Sequence, residues 1–158
     1  MAVPEFITAL RAHVGHAPLW LSGVSAVVVD EGGRILLARR ADNGHWAIVS
    51  GILEPGEQPA TAIVREIREE TGVEVQVIRL TSVDVTPPLT HANGDHAQYL
   101  DLCFLARYVS GVPHPADDEN LEVGWFSPDA LPAPLNATSV GRIEKALRGD
   151  EATWFDRD

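Results

Sequence analysis

The alternation of apolar and polar residues along the chain predicts strands mixed with a few helices. Residues 24–29 and 34–40 are apolar or alternating runs, and the Asp-Glu-Gly-Gly turn between them predicts a β-hairpin. Further strands are predicted at 46–49, 73–85, 97–109 and 122–126. Helical spacing predicts helices at 4–14, 59–71 and 139–147, with a one-turn helix at 127–131.

The order of these segments predicts one domain with an N-terminal extension. The 158 residues contain no repeat and no low-complexity tract. Residues 1–21 are predicted to be a helical extension whose apolar stripe is Phe6, Leu10 and Val14. Residues 22–158, including the C-terminal helix, are predicted to form one α+β domain with a sheet covered by helices.

One predicted helix carries three carboxylates on a single face. Glu66, Glu69 and Glu70 have the spacing i, i+3, i+4, which puts them within one turn. Like charges so close raise one another's pKa unless a positive charge lies among them, and a hard divalent cation with oxygen ligands is the natural one. We expect this acidic face to point outward, toward a ligand, because the opposite face is apolar and suited to a sheet.

The ends of this helix and the loop before it are also well specified. Pro59 suits a first helical position, and Gly72 suits the left-handed residue that follows the last turn. Gly51 allows the backbone to approach a ligand closely. Arg65 is spaced i, i+4 from Glu69 and can neutralise it. Together these features indicate a loop and helix that bind a metal and phosphate.

Residues 51–73 resemble a known family pattern, the Nudix box, which reads G-x5-E-x7-R-E-U-x-E-E-x-G-U with U aliphatic. All nine fixed positions are matched without a gap, by Gly51, Glu57, Arg65, Glu66, Ile67, Glu69, Glu70, Gly72 and Val73. The resemblance implies an α/β/α sandwich with a central mixed sheet. It also implies a Mg²⁺- or Mn²⁺-dependent hydrolase that cleaves the pyrophosphate bond in a nucleoside diphosphate linked to another moiety. The alternative is a solvated acidic helix face on some other α/β domain.

The resemblance also implies roles for individual residues. In the family the three helix glutamates divide metal binding and water activation, which here fall on Glu66, Glu69 and Glu70. The backbone carbonyl of Gly51 is implied as a further metal ligand. A carboxylate before the last strand often adds another ligand, and Glu119 is our choice for it.

Two neighbours of these ligands are expected to hold the loop in place. Glu57 and Arg65 are assigned this supporting role rather than direct metal binding. One departure from the usual pattern is Ser50, at a position that is often glycine. It removes no ligand.

The substrate is less well specified by the sequence. Pro88 lies fifteen residues after Val73, a feature of ADP-ribose-cleaving Nudix enzymes, and favours ADP-ribose or another nucleotide sugar. A (d)NTP pyrophosphohydrolase of nucleotide-pool sanitation is the alternative, and a non-catalytic nucleotide sensor is an alternative of another class. The candidate substrate-binding residues are Arg39, Trp46, Pro88 and His96.

The amino-acid composition limits the kinds of binding partner and the location that we expect. With 12 basic and 23 acidic residues the net charge is −11, which disfavours DNA or long RNA but not a small nucleotide bound with a cation. The single cysteine, Cys103, excludes an internal disulfide and suits a reducing compartment. No basic leader or membrane-length apolar run is present, so a cytoplasmic location without membrane contact is expected. A homodimer formed through the N-terminal stripe is a further expectation.

Overall fold

Strands and helices alternate along the chain in the computed structural model, which describes residues 3–157. The elements are α1 (Glu5–Val14), β1 (Leu19–Val29), β2 (Ile35–Arg40), β3 (Trp46–Ala47), β4 (Val49–Ile52), α2 (Pro59–Thr71), β5 (Glu74–Val85), β6 (Leu89–Thr90), β7 (His96–Ser110), β8 (Asn120–Phe126), α3 (Ala137–Ala146) and β9 (Trp154–Phe155). Within the described residues, no helix has the length and apolar character needed to cross a membrane.

All nine strands belong to one mixed sheet, whose main path is β3-β2-β1-β7-β5-β9. Strand β1 is central, because it pairs in parallel with β7 along one edge and antiparallel with β2 and β4 along the other. Strand β7 then pairs antiparallel with β5, and β8 pairs antiparallel with β2. The predicted central mixed sheet is therefore confirmed.

Alternate residues of β1 face different helices, which makes the three layers of the fold. Val24 and Val28 lie in the core cluster that contains Ile63 and Ile67 of α2. Val27 lies in the second cluster, on the other face, with Ile143 and Ala146 of α3. Helix, sheet and helix are thus stacked as an α/β/α sandwich, and the predicted α+β class is confirmed.

The structure differs from the predictions at two places near the C-terminus. Residues 127–131 form a hydrogen-bonded turn, with the Ala130 amide donating to the Ser127 carbonyl at 2.9 Å, rather than the predicted one-turn helix. The following Pro132 disfavours helical backbone at Leu131, so the turn does not propagate. Helix α3 begins at Ala137, earlier than predicted, because the side chain of Asn136 accepts a capping hydrogen bond from the Thr138 amide at 3.0 Å.

Helix α1 packs on the domain instead of standing apart from it. Its Ile7 is buried against Leu21 of β1 and Ala97 of β7, whereas Leu10 and Val14 of the predicted stripe remain 41% and 42% exposed. The expected boundary after residue 21 falls inside β1, which begins at Leu19. Dimerisation through this stripe stays a prediction.

Candidate active site

The loop before α2 is tied to the helix by one arginine. Arg65 donates to both carboxylate oxygens of Glu57, at 2.9 and 3.0 Å, and its Nη1 donates to Glu69 at 3.2 Å. This contact holds the pKa of Glu57 below its ordinary value. The bidentate geometry links the loop to the helix, and the supporting role of Glu57 and Arg65 toward the metal ligands stays a prediction.

Both ends of α2 follow the prediction. Pro59 is at the first helical position, and Gly72 has the left-handed conformation, with φ of 68°, just after the last turn. This positive φ is what favours glycine here; a Cβ would also lie 2.7 Å from Nδ1 of His114, whose exposed side chain can move. Local sequence therefore sets both the length and the position of the acidic helix.

The acidic face is not directed outward as the sequence led us to expect. Glu66 and Glu70 are 0% and 2% exposed, whereas the side chain of Glu69 is 45% exposed. The reason is that α2 packs its Glu66 side against β4. A Cβ on Gly51 would lie 2.5 Å from Cγ of Glu66 and nearer still to its carboxyl carbon. Two of the three carboxylates are thus buried, and Glu66 lies against Gly51, the first residue of the Nudix box.

Three of the four oxygens of these two buried carboxylates accept no hydrogen bond in the described structure. Among the described residues, neither oxygen of Glu66 accepts a hydrogen bond, and the same is true of Oε1 of Glu70. Nη1 of Arg65 lies 3.1 Å from Oε1 of Glu66, and Asn120 donates to Oε2 of Glu70 at 3.1 Å. Buried carboxylate oxygens without donors are costly, and a hard cation that takes oxygen ligands would compensate them.

The oxygens of Glu66 and Glu70 therefore fit a divalent cation, although they do not form a complete, preformed coordination site. Within residues 3–157, no three His, Cys, Asp or Glu side chains converge as a preformed metal-binding group. The donor set that suits Mg²⁺ or Mn²⁺ consists of the oxygens of Glu66 and Glu70 that accept no hydrogen bond and the carbonyl oxygen of Gly51, the residue that packs against Glu66.

Burial raises the pKa of both hidden glutamates. The pKa of Glu66 rises to about 7, mainly by desolvation and further by the charges of Glu69 and Glu119, against the opposing effect of Arg65. The pKa of Glu70 rises to about 8, again mainly by desolvation, with the charge of Glu119 contributing and the hydrogen bond from Asn120 opposing. Glu119 raises the pKa of both groups, and its role as a metal ligand stays a prediction.

A cleft of about 630 Å³ opens beside this cluster. Gly51, Ser50 and Glu119 line it on the side of the Nudix box, and Arg40, which contacts Asp42 at 3.0 and 3.1 Å, lines it nearby. Its far wall is formed by α1 and by the turn between β6 and β7, through residues that include Ile7, Arg11, His91, Asn93 and Asp95. The N-terminal extension is thus part of the cleft.

The four candidate substrate residues lie outside the described cleft lining. Trp46 is only 8% exposed and packs edge-on against Phe126, with ring centroids 4.8 Å apart, so stacking on a base is excluded by its burial. Arg39 lies 3.4 Å from Glu122 on β8. Pro88 and His96 are exposed, and His96 Nδ1 lies 2.9 Å from Thr90 Oγ1.

Sequence reasoning missed a charged pair in the floor of the cleft. Arg142 of α3 lies 3.0 Å from Asp101 of β7, and Ser25 donates to the same carboxylate oxygen at 2.7 Å. Burial raises the pKa of Asp101, while Arg142 and Ser25 act in the opposite direction. The signal in the sequence was an acidic residue inside an apolar strand, Leu-Asp-Leu-Cys-Phe-Leu.

The family model described as a NUDIX domain matches residues 20–146. The chain belongs to the Nudix family. Its Nudix box is therefore the loop and helix described above, with every fixed position in place. The chain is a Nudix hydrolase, and hydrolases of this family generally use divalent metal ions.

Similar proteins share the Nudix domain at moderate identity. A MutT-like protein of Streptomyces ambofaciens is 36% identical over 132 residues, covering 84% of this chain and 80% of the relative. The NAD-capped RNA hydrolase NudC of Pseudomonas aeruginosa is 40% identical over 124 residues, covering 77% of this chain but only 42% of the relative. The crystal structure of a MutT Nudix hydrolase from Burkholderia pseudomallei superposes with a TM-score of 0.68 at 31% identity, covering 82% of this chain and 99% of that one.

Proposed function

We propose that this Nudix hydrolase cleaves the pyrophosphate bond in a nucleoside diphosphate linked to another moiety, with ADP-ribose or another nucleotide sugar preferred and Mg²⁺ or Mn²⁺ required. The observation that carries the proposal is the pair of buried glutamates, Glu66 and Glu70, of whose four carboxylate oxygens three accept no hydrogen bond in the described structure. Glu66 packs against Gly51, and Gly51 lines a cleft of about 630 Å³ beside the Nudix box.

The side chains around Gly51 divide the work of such a reaction. Glu66, Glu69 and Glu70, with the Gly51 carbonyl and Glu119, would hold the cation. A bound cation would neutralise charge on the diphosphate oxygens. One carboxylate of this cluster takes the proton of the attacking water as the P–O bond to the leaving phosphate breaks.

The cleft supports a substrate with a group on each side of the diphosphate. Its volume of about 630 Å³ is in the range of pockets that take nucleotide-sized ligands, roughly 300–1,000 Å³. It extends from Gly51 to Ile7 and Arg11 of α1, which leaves room beyond the phosphates. Arg40 and Arg11 lie in the lining, where each is paired with a carboxylate of the same cleft, Asp42 and Asp95 respectively.

A relative's name agrees with a substrate of this class. The Pseudomonas protein is named a hydrolase of NAD-capped RNA, and NAD carries a diphosphate between two nucleosides. The net charge of −11 here disfavours the RNA body, so we propose a small nucleotide rather than a capped RNA as substrate. Pro88 would act on the substrate only indirectly, because it stiffens the loop that leads to His91.

A phosphate-release screen over nucleotide sugars, dinucleotides and (d)NTPs, with Mg²⁺ and with Mn²⁺, tests the proposal. Wild-type protein is expected to turn over a nucleotide sugar fastest. Glu69→Gln and Glu70→Gln, which keep volume but remove charge, are expected to lose turnover by orders of magnitude while remaining folded. Wild-type turnover in both variants would remove the metal assignment, and no turnover of any nucleotide by the wild type would favour the sensor alternative.

A further inference from the structure

Asp101 is the buried acidic residue in the floor of the cleft. It lies on β7 directly opposite Gly23 of β1 in the parallel ladder. Its residue exposure is 3%, yet it lines the cleft. One of its oxygens, Oδ2, is held by Ser25 at 2.7 Å and by Arg142 at 3.0 Å. The carboxylate is therefore fixed in position, and the guanidinium of Arg142 compensates its charge.

The other oxygen of Asp101, Oδ1, faces the region of Gly23 and Gly51. A Cβ built on Gly23 would lie 3.2 Å from Oδ1 of Asp101 and 3.7 Å from the carbonyl oxygen of Gly51. These two oxygens are therefore no farther apart than the sum of those distances, about 7 Å. Gly23 is not among the glycines with positive φ, so its backbone does not require glycine. Its missing side chain leaves the space between the two oxygens open.

The Asp101–Arg142 pair links the sheet to α3, but this structural role does not explain why Asp101 lies in the cleft. Asp84 of β5 is the cross-strand partner of Asp101, and it contacts Lys145 of α3 at 2.8 Å. Asp84 thus makes the same kind of tie between sheet and helix, but it is absent from the lining of the large cleft in the described structure. A buried ion pair is also weak evidence for a role in stability, because desolvation offsets most of its attraction.

We propose that Asp101 is a specificity-determining residue that accepts hydrogen bonds from the hydroxyl groups of the nucleoside ribose. This inference rests on the proposed function, since it takes the diphosphate to lie at Gly51. In any nucleotide the ribose is the group directly attached to the phosphate, and the base is farther away. The separation of at most about 7 Å between Oδ1 and the Gly51 carbonyl therefore suits the sugar.

The chemistry of the pair also suits hydroxyl donors. A carboxylate accepts hydrogen bonds only, and two vicinal hydroxyl groups can donate to it. Arg142 favours the charged form of Asp101 and holds it in one orientation, so a ribose binds a carboxylate that is already ordered. A 2′-deoxyribose would leave part of this buried acceptor unpaired, which is the condition under which sites discriminate strongly. Ribonucleotides are thus expected to be preferred to 2′-deoxyribonucleotides.

The test compares ribo and 2′-deoxy ligands on five proteins: wild type, Asp101→Asn, Gly23→Ala, Asp84→Asn and Gly149→Ala. Hydrolysis of ADP-ribose and of its 2′-deoxyadenosine analogue gives kcat and KM, and calorimetry with AMP and 2′-dAMP gives binding without turnover. Wild type is expected to prefer the ribo form by about ten- to a hundredfold, mainly through KM and Kd. Asp101→Asn and Gly23→Ala are expected to bring the ratio near one.

The matched controls separate binding from structure. Asp84→Asn makes the same chemical change in the neighbouring pair and is expected to keep the wild-type preference. Gly149→Ala is the control for Gly23→Ala, because it adds a methyl group where nothing lies within 4 Å. It is expected to leave the ribo-to-deoxy preference unchanged, both in kcat/KM and in Kd. If Asp101→Asn fails to fold, Gly23→Ala decides, because it leaves the Asp101–Arg142 pair intact.

Failure of this inference differs from failure of the proposed function. Equal ribo and deoxy constants in wild type, or an unchanged ratio in both cleft variants, would overturn the role of Asp101 while leaving hydrolysis in place. A wild type that hydrolyses no nucleotide would overturn the proposed function, and the calorimetric comparison of AMP with 2′-dAMP would still decide on Asp101. A preference that follows the base instead of the sugar also contradicts the proposal.

Discussion

The carboxyl group of Glu66 occupies the space that a side chain on Gly51 would fill. A Cβ on Gly51 would lie 2.5 Å from Cγ of Glu66, with the carboxyl carbon closer still. Gly51 and Glu66, the first glycine and the first helix glutamate of the Nudix box, therefore pack directly against each other. Gly51 is not among the glycines with positive φ, so steric room, not backbone conformation, requires glycine here.

Gly51→Ala is consequently expected to displace Glu66 and damage activity. Overpacking of this kind costs about 1–3 kcal/mol of stability, and a displacement of about 1 Å in a catalytic group can cost about a hundredfold in rate. We expect a similar loss in kcat/KM, measured alongside chemical denaturation. Gly141→Ala on α3, where nothing lies within 4 Å of an added Cβ, is the control. An active Gly51→Ala variant would contradict the close packing.

The raised pKa values predict how stability of the metal-free protein depends on pH. Glu66 and Glu70 have pKa values of about 7 and about 8 in the folded state, against an ordinary 4.5. Between pH 4.5 and 8 the folded protein therefore binds more protons than the unfolded chain, and its free energy of unfolding falls as pH rises. For Glu66 the shift corresponds to about 3 kcal/mol.

Glu66→Gln and Glu70→Gln should flatten that dependence. With EDTA present, each variant is expected to gain stability relative to wild type as the pH is raised from 5 to 8.5, measured by urea denaturation. Glu57→Gln is the contrast, because Arg65 lowers the pKa of Glu57 and its contribution is present above pH 4.5 and lost in acid. Parallel pH curves for wild type and the two buried-site variants would show that these groups are not strained when charged.

Metal binding should appear in thermal unfolding as well. Mg²⁺ or Mn²⁺ added to EDTA-treated protein is expected to raise the Tm, because the cation binds only the folded state. Replacement of Glu66, Glu69 and Glu70 together by Gln is expected to abolish the shift. A triple variant that keeps the full shift would mean that the cation binds elsewhere.

The local parts of this site could be predicted from sequence, and the long-range parts could not. Pro59, Gly72 and the Arg65–Glu69 spacing specify α2 through contacts within one or two turns, and the structure has each of them. The burial of Glu66 depends on how closely α2 packs against β4, a matter of tertiary structure that helical periodicity does not contain.

Partners distant in sequence explain the remaining differences. Asp101 finds Arg142 only because β7 and α3 meet in the folded chain, so neither residue suggested the other. The sequence allows Trp46 to stack on a base, although its place in a predicted strand also favours core packing, and the structure packs its ring against Phe126. Ile7 and Arg11 reach the cleft because α1 folds back on Leu21 and Ala97, which its own stripe does not indicate.

The identity of the products distinguishes the two substrate classes. Hydrolysis within the diphosphate of ADP-ribose gives AMP and ribose 5-phosphate, whereas a triphosphate reaction gives a nucleoside monophosphate and pyrophosphate. We expect a higher kcat/KM for a nucleotide sugar than for any (d)NTP, because the cleft continues from Gly51 to α1 and has room for a second sugar. The measurement is chromatography of the products under single-substrate conditions.

Variants in the loop between β5 and β7 extend this test. His91 lines the cleft, whereas Pro88 is exposed and acts on it only through the stiffness of the loop. Both His91→Ala and Pro88→Ala are expected to lose more kcat/KM on the nucleotide sugar than on a (d)NTP, and the loss should be larger for His91→Ala. A wild-type preference for a (d)NTP, with pyrophosphate as product, would reject the nucleotide sugar. It would leave the roles of Glu66, Glu69 and Glu70 unchanged, because both reactions hydrolyse a phosphoanhydride with the same cluster.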